Sequence, residues 1–333
     1  MATISEIAKT AGVGVGTVSR YLNNEPHVSE PKKRKIQAAI DELHYTPSAI
    51  AAQLRSKTTK NIGFLVSRVT NPFLAALFDA VETDLKSHGY QVFVSQTHDD
   101  PSAEQRFLEQ IKTHQLDGVI MASVENAELV QQMADEFPDS IVLLNEQIAH
   151  PGIRQVTLDH YQATLDGLEY LYQTGRRHIA YATGGDYPSH RHGQSRTQAY
   201  QDFHASYHLS IDSKLVFAKK HSLADGTLIG KTIADMSQAE RPDAIFTNSD
   251  EVAIGVIAAV QAAGLRVPED LAVMGYDDQP MAQFAAVPLT TIHQPVTAMA
   301  QQAVALLLAG LDAETQPVDS ESTQLKLVIR KSA

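Results

Sequence analysis

From residue 61 to residue 276, short apolar runs alternate with longer segments of helical periodicity. The runs are Asn61–Ser67 (NIGFLVS), Tyr90–Gln96 (YQVFVSQ), Leu116–Ala122 (LDGVIMA), Ile141–Leu144, His178–Thr183, Lys214–Ala218, Ala244–Thr247 and Leu271–Tyr276. The intervening segments are Pro72–Ser87, Ala103–His114, Asn126–Phe137, Tyr161–Thr174, Arg196–Ser206, Ala224–Ala234 and Glu251–Ala263. Strands joined through helices must run parallel, with helices covering both faces of the sheet. The expectation for residues 61–333 is therefore an α/β body of two lobes, crossing over near residues 157–160 and 289–293. Gln155–Leu158 reads as the start of the first crossover. Sites in such sheets form at the carboxyl ends of strands.

Residues 1–60 break this rhythm. Ser5 is placed to cap a first helix with Ile7, Ala8 and Ala11 on one face, and Gly12 to stop it. Val13–Leu22 makes a second helix, with Val15, Val18 and Leu22 in a stripe. Ser29-Glu30-Pro31 opens a third, whose inner face is Ile36, Ala39, Ile40 and Leu43. Helix, glycine-containing turn, helix is the helix-turn-helix plan, whose second helix enters the DNA major groove. Val15 is open to two readings, a core position or one facing the groove. The run Gly12-Val13-Gly14-Val15-Gly16 is not a dinucleotide loop: Thr17 stands where the last glycine of GxGxxG belongs, and no strand precedes it.

Charge follows the same division. The chain carries a net −12, yet residues 1–60 hold nine Lys/Arg against five Asp/Glu. A basic head on an acidic body suits a polyanion-binding module with a regulatory body, although the run Lys32-Lys33-Arg34-Lys35 alone accounts for much of the excess. With 43% hydrophobic and 20% charged residues the chain is globular in composition. It has no cysteine, which removes disulfides, thiolate metal sites and cysteine nucleophiles. No apolar stretch approaches the ~20 residues of a membrane span, and the first residues do not read as a secretory signal. A cytoplasmic address is expected.

Thr3-Ile4-Ser5-Glu6-Ile7-Ala8, Ala11-Gly12-Val13, Gly16-Thr17-Val18-Ser19-Arg20, Leu22-Asn23, Val28-Ser29 and Tyr45-Thr46-Pro47-Ser48-Ala49 occur in this order. Together they resemble the head of a LacI/GalR-family transcriptional regulator, and the likeness runs through most of the chain. Within the family it looks closest to Gram-positive carbon-catabolite and sugar-operon regulators. The resemblance implies a helix-turn-helix domain over residues 1–46, a hinge helix and linker over 47–60, and a periplasmic-binding-protein-like effector and dimerisation domain over 61–333. It implies that Val15 and Gly16 select operator bases while Thr17, Ser19 and Arg20 contact bases or phosphate. Thr3, Asn23 and Ser48 complete the contact set, and Leu54 wedges into the minor groove from a hinge helix that orders when two copies pair. Val15 and Gly16 bring no hydrogen-bonding side chain, so readout there rests on apolar contact or close backbone approach.

For the body, the resemblance implies effector contacts at Phe73, Asn145, Asp159, His190 and His192. It adds Arg196, His221, Ser249, Asp250 and Asp277. Carboxylates and amides accept hydrogen bonds from sugar hydroxyls, a guanidinium donates them, and Phe73 can stack on a sugar face. Ser249 stands where some relatives carry Asn, and Asp250 is either an effector contact or the cap of the helix expected from Glu251. The three histidines leave room for a phosphate or carboxylate on the effector. Their spacing fits no metal site, and no metal or other cofactor is expected.

GxSxG, HExxH and P-loop patterns are absent, so the chain is not expected to be an enzyme. The first functional class is a repressor of carbohydrate-utilisation genes, bound to palindromic operator DNA and controlled by a sugar or sugar phosphate. The second is a sugar-binding protein or enzyme on the same body. A third is a catabolite-control regulator activated by a phosphocarrier protein corepressor. A complete head and hinge favour the first. A homodimer is expected, because two heads on a palindrome multiply their contacts. Ala75-Ala76-Leu77-Phe78 and Met299–Leu308 are either contact surfaces or core.

Overall fold

The computed structural model describes residues 2–22, 26–45, 58–187, 193–311 and 323–333. The chain divides into two compact units at Thr59/Lys60. Asn23 and the expected hinge helix with Ser48 and Leu54 lie outside the described residues, as do His190 and His192.

The head consists of α1 (Ile4–Ala11), α2 (Val15–Leu22) and α3 (Glu30–Glu42). Its first cap is Thr3, not Ser5: Thr3 Oγ1 accepts from Glu6 N, and Thr3 N donates to Glu6 Oε2 at 2.7 Å. This is a capping box, which satisfies two helix-end groups reciprocally. Gly12 ends α1 in the left-handed region, at φ 64°. The turn therefore takes Val13 and Gly14, and α2 starts two residues later than the periodicity suggested. Ile7, Ala8, Ala11, Val18, Val28, Ile36 and Ala39 form the buried core. Val15 is 51% exposed, which removes its core reading.

The body begins with β1 (Asn61–Val66), α4 (Pro72–Ser87), β2 (Gln91–Gln96), α5 (Pro101–Lys112), β3 (Gly118–Met121), α6 (Ala127–Glu136), β4 (Ile141–Leu144) and β5 (Arg154–Val156). The strands form a parallel sheet in the order β2-β1-β3-β4-β5. The second lobe carries α7 (His160–Gln173), β6 (Ile179–Ala182), α8 (Gln194–Ser206), β7 (Val216–Phe217), α9 (Leu223–Asp235), β8 (Ala244–Phe246), α10 (Asp250–Ala262) and β9 (Ala272–Met274). Its parallel sheet runs β7-β6-β8-β9. Lys214 and Leu215, expected as strand, belong instead to a 3-10 turn at Ser213–Leu215, where the Asp212 carboxylate accepts from Lys214 N at 2.9 Å.

The chain then crosses back. β10 (Thr291–His293) lies beside the end of β9, and α11 (Val296–Leu311) returns to the first lobe. Met299, Ala300, Ala303, Val304, Leu307 and Leu308 are buried there with Leu77, Val81 and Leu85 of α4. The stretch Met299–Leu308 is thus core. In α4, Leu77 is buried while Ala76 remains exposed. Finally β11 (Lys326–Val328) pairs antiparallel with β10, a third crossing that the sequence pattern did not reveal.

Helices α9 and α10 pack unusually close. A Cβ on Gly226 would collide with the Val252 carbonyl, one on Gly255 with the Leu223 carbonyl, and one on Gly230 would lie 2.7 Å from Ala259 Cβ. Backbone cannot step aside as a flexible side chain does, so added volume here strains both helices. Gly255→Ala is expected to cost about 1–3 kcal/mol and lower the melting temperature of the full chain, read by circular dichroism. A wild-type melting temperature would contradict this packing.

Candidate functional site

The carboxyl ends of both parallel sheets open into one cleft of about 540 Å³. The first lobe contributes Ser67 and Arg68 beyond β1, Ser123 beyond β3, Asn145 and Glu146 beyond β4, and Phe73 from the first turn of α4. The second contributes Arg196 from the first turn of α8, Asn248 and Ser249 between β8 and α10, and Asp277 beyond β9. The cleft thus brings together Phe73, Asn145, Arg196, His221, Ser249 and Asp277 among the expected residues.

Arg196 follows Gly193, whose left-handed φ of 81° turns the chain into α8. Its Nη1 donates to the Asn248 carbonyl at 3.2 Å, and its guanidinium lies 4.7 Å from the Tyr276 ring centre. The stacked ring leaves the edge of the guanidinium for directional bonds. Asp277 adopts φ 106°, strained for a non-glycine residue. Its carboxylate accepts from Gln294 Nε2 at 2.6 Å and Gln279 Nε2 at 3.3 Å. Burial pushes the carboxyl up to about 7, opposed by Arg196.

Two expected contacts are placed differently. Asp250 does not line the cleft: it is fully buried behind Asp277, accepting from Gln279 N at 2.7 Å and Thr291 Oγ1 at 2.5 Å. Burial, then the neighbouring Asp277, raises it to about 8. It is not the helix cap either, since Ser249 Oγ accepts from Val252 N at 3.3 Å. Asp159 is exposed and caps α7 by accepting from Gln162 N at 2.9 Å, while the adjacent His160 lines the cleft. Phe73 is 6% exposed and belongs to the first lobe's core, which restricts any stacking to its edge of the cleft.

Sequence reasoning missed several polar groups. Asn248 donates through Nδ2 to the Lys220 carbonyl at 2.9 Å, and its buried Oδ1 has no partner. Gln294 Oε1 and Ser123 Oγ are likewise buried without partners, and all three residues line the cleft. Orphaned buried polar atoms are rare in folded proteins, and three of them sit on residues that line one cleft. Beneath Ser123, Glu104 accepts from Glu125 N at 2.7 Å and Asn126 N at 3.0 Å, pinning the loop after β3. Burial raises Glu104 to about 7. Among the described residues no cluster of metal-ligating side chains occurs.

On the head, Val15, Gly16 and Arg20 are exposed along α2, with Thr17 and Ser19 half-buried beside them. Thr3 is exposed, although its hydroxyl is engaged with Glu6. Lys32, Arg34 and Lys35 are exposed on α3, while Lys33 pairs with Glu30 at 2.8 Å. No helix among the described residues is long and apolar enough to cross a membrane.

Residues 3–48 match the family described as bacterial regulatory proteins, lacI family, and residues 168–333 match a periplasmic binding protein-like domain. Over 335 residues the chain is 34% identical to the NTD biosynthesis operon regulator NtdR of Bacillus subtilis (strain 168), covering 100% of both chains. A LacI family transcriptional regulator from Lactobacillus casei with bound sucrose is 51% identical, with a TM-score of 0.80 over 82% of this chain and 99% of that one. The same regulator with bound glucose is 52% identical, with a TM-score of 0.79 over the same shares. A lac repressor dimer bound to operator and the anti-inducer ONPF is 24% identical and shares the fold, with a TM-score of 0.83 over 99% of this chain and 98% of that one.

The raised carboxyls set a pH dependence. With Asp277 near 7 and Asp250 near 8, against roughly 3.9 in an unfolded chain, the folded protein binds more protons between these limits. Stability of the unliganded chain therefore falls as pH rises through that window and levels off above it. Melting temperatures from pH 5.5 to 8.5 are expected to decline, less steeply in Asp277→Asn. An identical slope in the variant would remove Asp277 from this account.

Proposed function

Because the chain belongs to the LacI family of bacterial regulatory proteins, we propose that its cleft binds a neutral sugar whose occupancy controls operator binding by the head. The observation that carries the sugar reading is the set of unpartnered buried groups, Ser123 Oγ, Asn248 Oδ1 and Gln294 Oε1, beside Arg196 and Asp277. Such groups are satisfied by hydroxyls that both donate and accept. Charge argues against a phosphorylated ligand. The described lining holds the carboxylates Asp99 and Glu146 and the partly protonated Asp277 against the guanidinium groups of Arg68 and Arg196, and Arg68 is already paired with Asp99 at 2.6 Å. The relative with bound sucrose and glucose supports the same class.

The function is regulatory rather than catalytic. The cleft offers groups that hold hydroxyls, and among the described residues no nucleophile is paired with a base. In the head, the exposed Val15 reaches base edges through apolar contact and Gly16 through close backbone approach, while Lys32, Arg34 and Lys35 neutralise phosphate. Two copies on a palindrome supply two heads, as in the lac repressor dimer that shares this fold. The site of action is the cytoplasm, where the DNA is. Ligand control requires that the sugar bind the DNA-competent and DNA-released states with different affinity.

Titration of the full chain with sucrose and glucose is expected to give saturable heat and a raised melting temperature, ~2.7 kcal/mol of stabilisation at 100 times Kd. Arg196→Ala is expected to abolish that response while retaining operator duplexes selected from a random pool; a normal sugar response would sink the cleft assignment. Replacing Lys32, Arg34 and Lys35 with Gln is expected to weaken DNA binding across sequences. For every phosphate no longer neutralised, the salt slope becomes shallower by about 0.9. An unchanged slope would place these side chains off the backbone.

A further inference from the structure

His160 joins parts of the body that are far apart in sequence. It opens α7 immediately after the first crossover. Its Nε2 lies 2.7 Å from Asn145 Oδ1, beyond β4 in the first lobe. Its Nδ1 lies 2.7 Å from Tyr276 Oη, beyond β9 in the second. Burial, reinforced by Arg196, pulls the imidazole down to about 3, so the ring is neutral at any ordinary pH. A neutral imidazole has one donor and one acceptor nitrogen. With the Asn145 amide set so that its oxygen faces the ring, Nε2 carries the hydrogen and Tyr276 Oη–H donates to Nδ1. The chain of bonds therefore has one direction.

That direction decides what Asn145 shows the cleft. Its backbone sits in the left-handed region at φ 65°, which asparagine tolerates, and its N–H is fixed to the Val156 carbonyl at 3.0 Å. With Oδ1 committed to His160, the two Nδ2 hydrogens are the groups left for a ligand, and Asn145 lines the cleft. On the opposite wall Asn248 and Gln294 commit their nitrogens to Lys220 O and Asp277, leaving oxygens. Among the three cleft amides, Asn145 thus keeps donors while Asn248 and Gln294 keep oxygens.

We propose that His160 is a positioning residue for effector specificity: relaying Tyr276 to Asn145, it turns the Asn145 amide hydrogens into the cleft, so that the first lobe selects an acceptor oxygen of the sugar. The inference rests on the sugar reading of the cleft. A ring oxygen or a hydroxyl oxygen of the sugar meets Asn145. Since the relay spans both lobes, the same ring ties the ligand's seat to their relative position.

Two measurements on the full chain test this. Long-range 1H–15N spectra, with the His160 signals identified by their loss in His160→Gln, are expected to show the Nε2–H tautomer, unprotonated from pH 8 to pH 5. An Nδ1–H tautomer, or protonation in that range, overturns the relay. Calorimetric titration uses sucrose and glucose as probes. His160→Phe, which keeps a ring but removes both bonds, is expected to weaken binding about tenfold or more. His160→Gln, which restores a donor toward Asn145, is expected to recover most of that loss. Asn145→Asp, which exchanges the donors for an acceptor, is expected to match the Phe variant. Adding His160→Phe to it is expected to weaken binding no further, because both act through one contact. If the wild type binds and His160→Phe and Asn145→Asp bind as tightly, the inference falls and the sugar reading stands. If the wild type binds neither sugar, the sugar reading falls and takes the inference with it.

Discussion

Parallel strands cannot be joined by tight turns, so each must be followed by a helix that carries the chain back. Every loop leaving a strand's carboxyl end is thereby delivered to the same side of its sheet. In this body the rule operates twice, and the loops beyond β1, β3 and β4 meet those beyond β6, β8 and β9 across one cleft. The site is a consequence of connectivity before it is a matter of chemistry. Side chains as separate in sequence as Ser67 and Gln294 line it together because their strands end there.

Within the cleft, polar satisfaction governs the choice of residues. Asp277 is buried, yet two glutamine amides hold its oxygens, and Asp250 behind it is held by a backbone N–H and a threonine hydroxyl. These bonds oppose the desolvation of two neighbouring carboxyls without removing it, and both remain raised. The wall is therefore stiff and its directions are fixed. Three oxygens of the residues around it, on Ser123, Asn248 and Gln294, stay outside this internal bonding.

The body's alternation was legible because fully buried strands such as Ile141–Leu144 are unbroken apolar runs, and because Asn71-Pro72 marks the start of α4 plainly. Helix α11 was less legible. Its sequence, VTAMAQQAVALLLAGL, is apolar on most sides and shows no narrow stripe from which core could be told from contact surface. β11, with three residues, gives no periodicity at all. In the cleft, the strand-end rule found the right places but not the right neighbours. The expected contacts include Asp159 where His160 turns inward, and Asp250 where Asn248, beside the correctly expected Ser249, lines the cleft. A shift of one residue changes which way a side chain points, and nothing in the local sequence resolves it. The Thr3 cap was different: Thr3 and Glu6 already have capping-box spacing, so that signal was present in the chain.

The return of α11 to the first lobe has a consequence for how the protein is made. The head closes its core within residues 7–39, soon after those residues leave the ribosome. The first lobe cannot do the same, because six buried side chains of its core lie between Met299 and Leu308. Its own strands are finished at Val156, yet they wait through the whole second lobe for the helix that covers them. A DNA-reading module can thus be complete while the body that follows it is still being synthesised, and the cleft comes into being only near the end of translation.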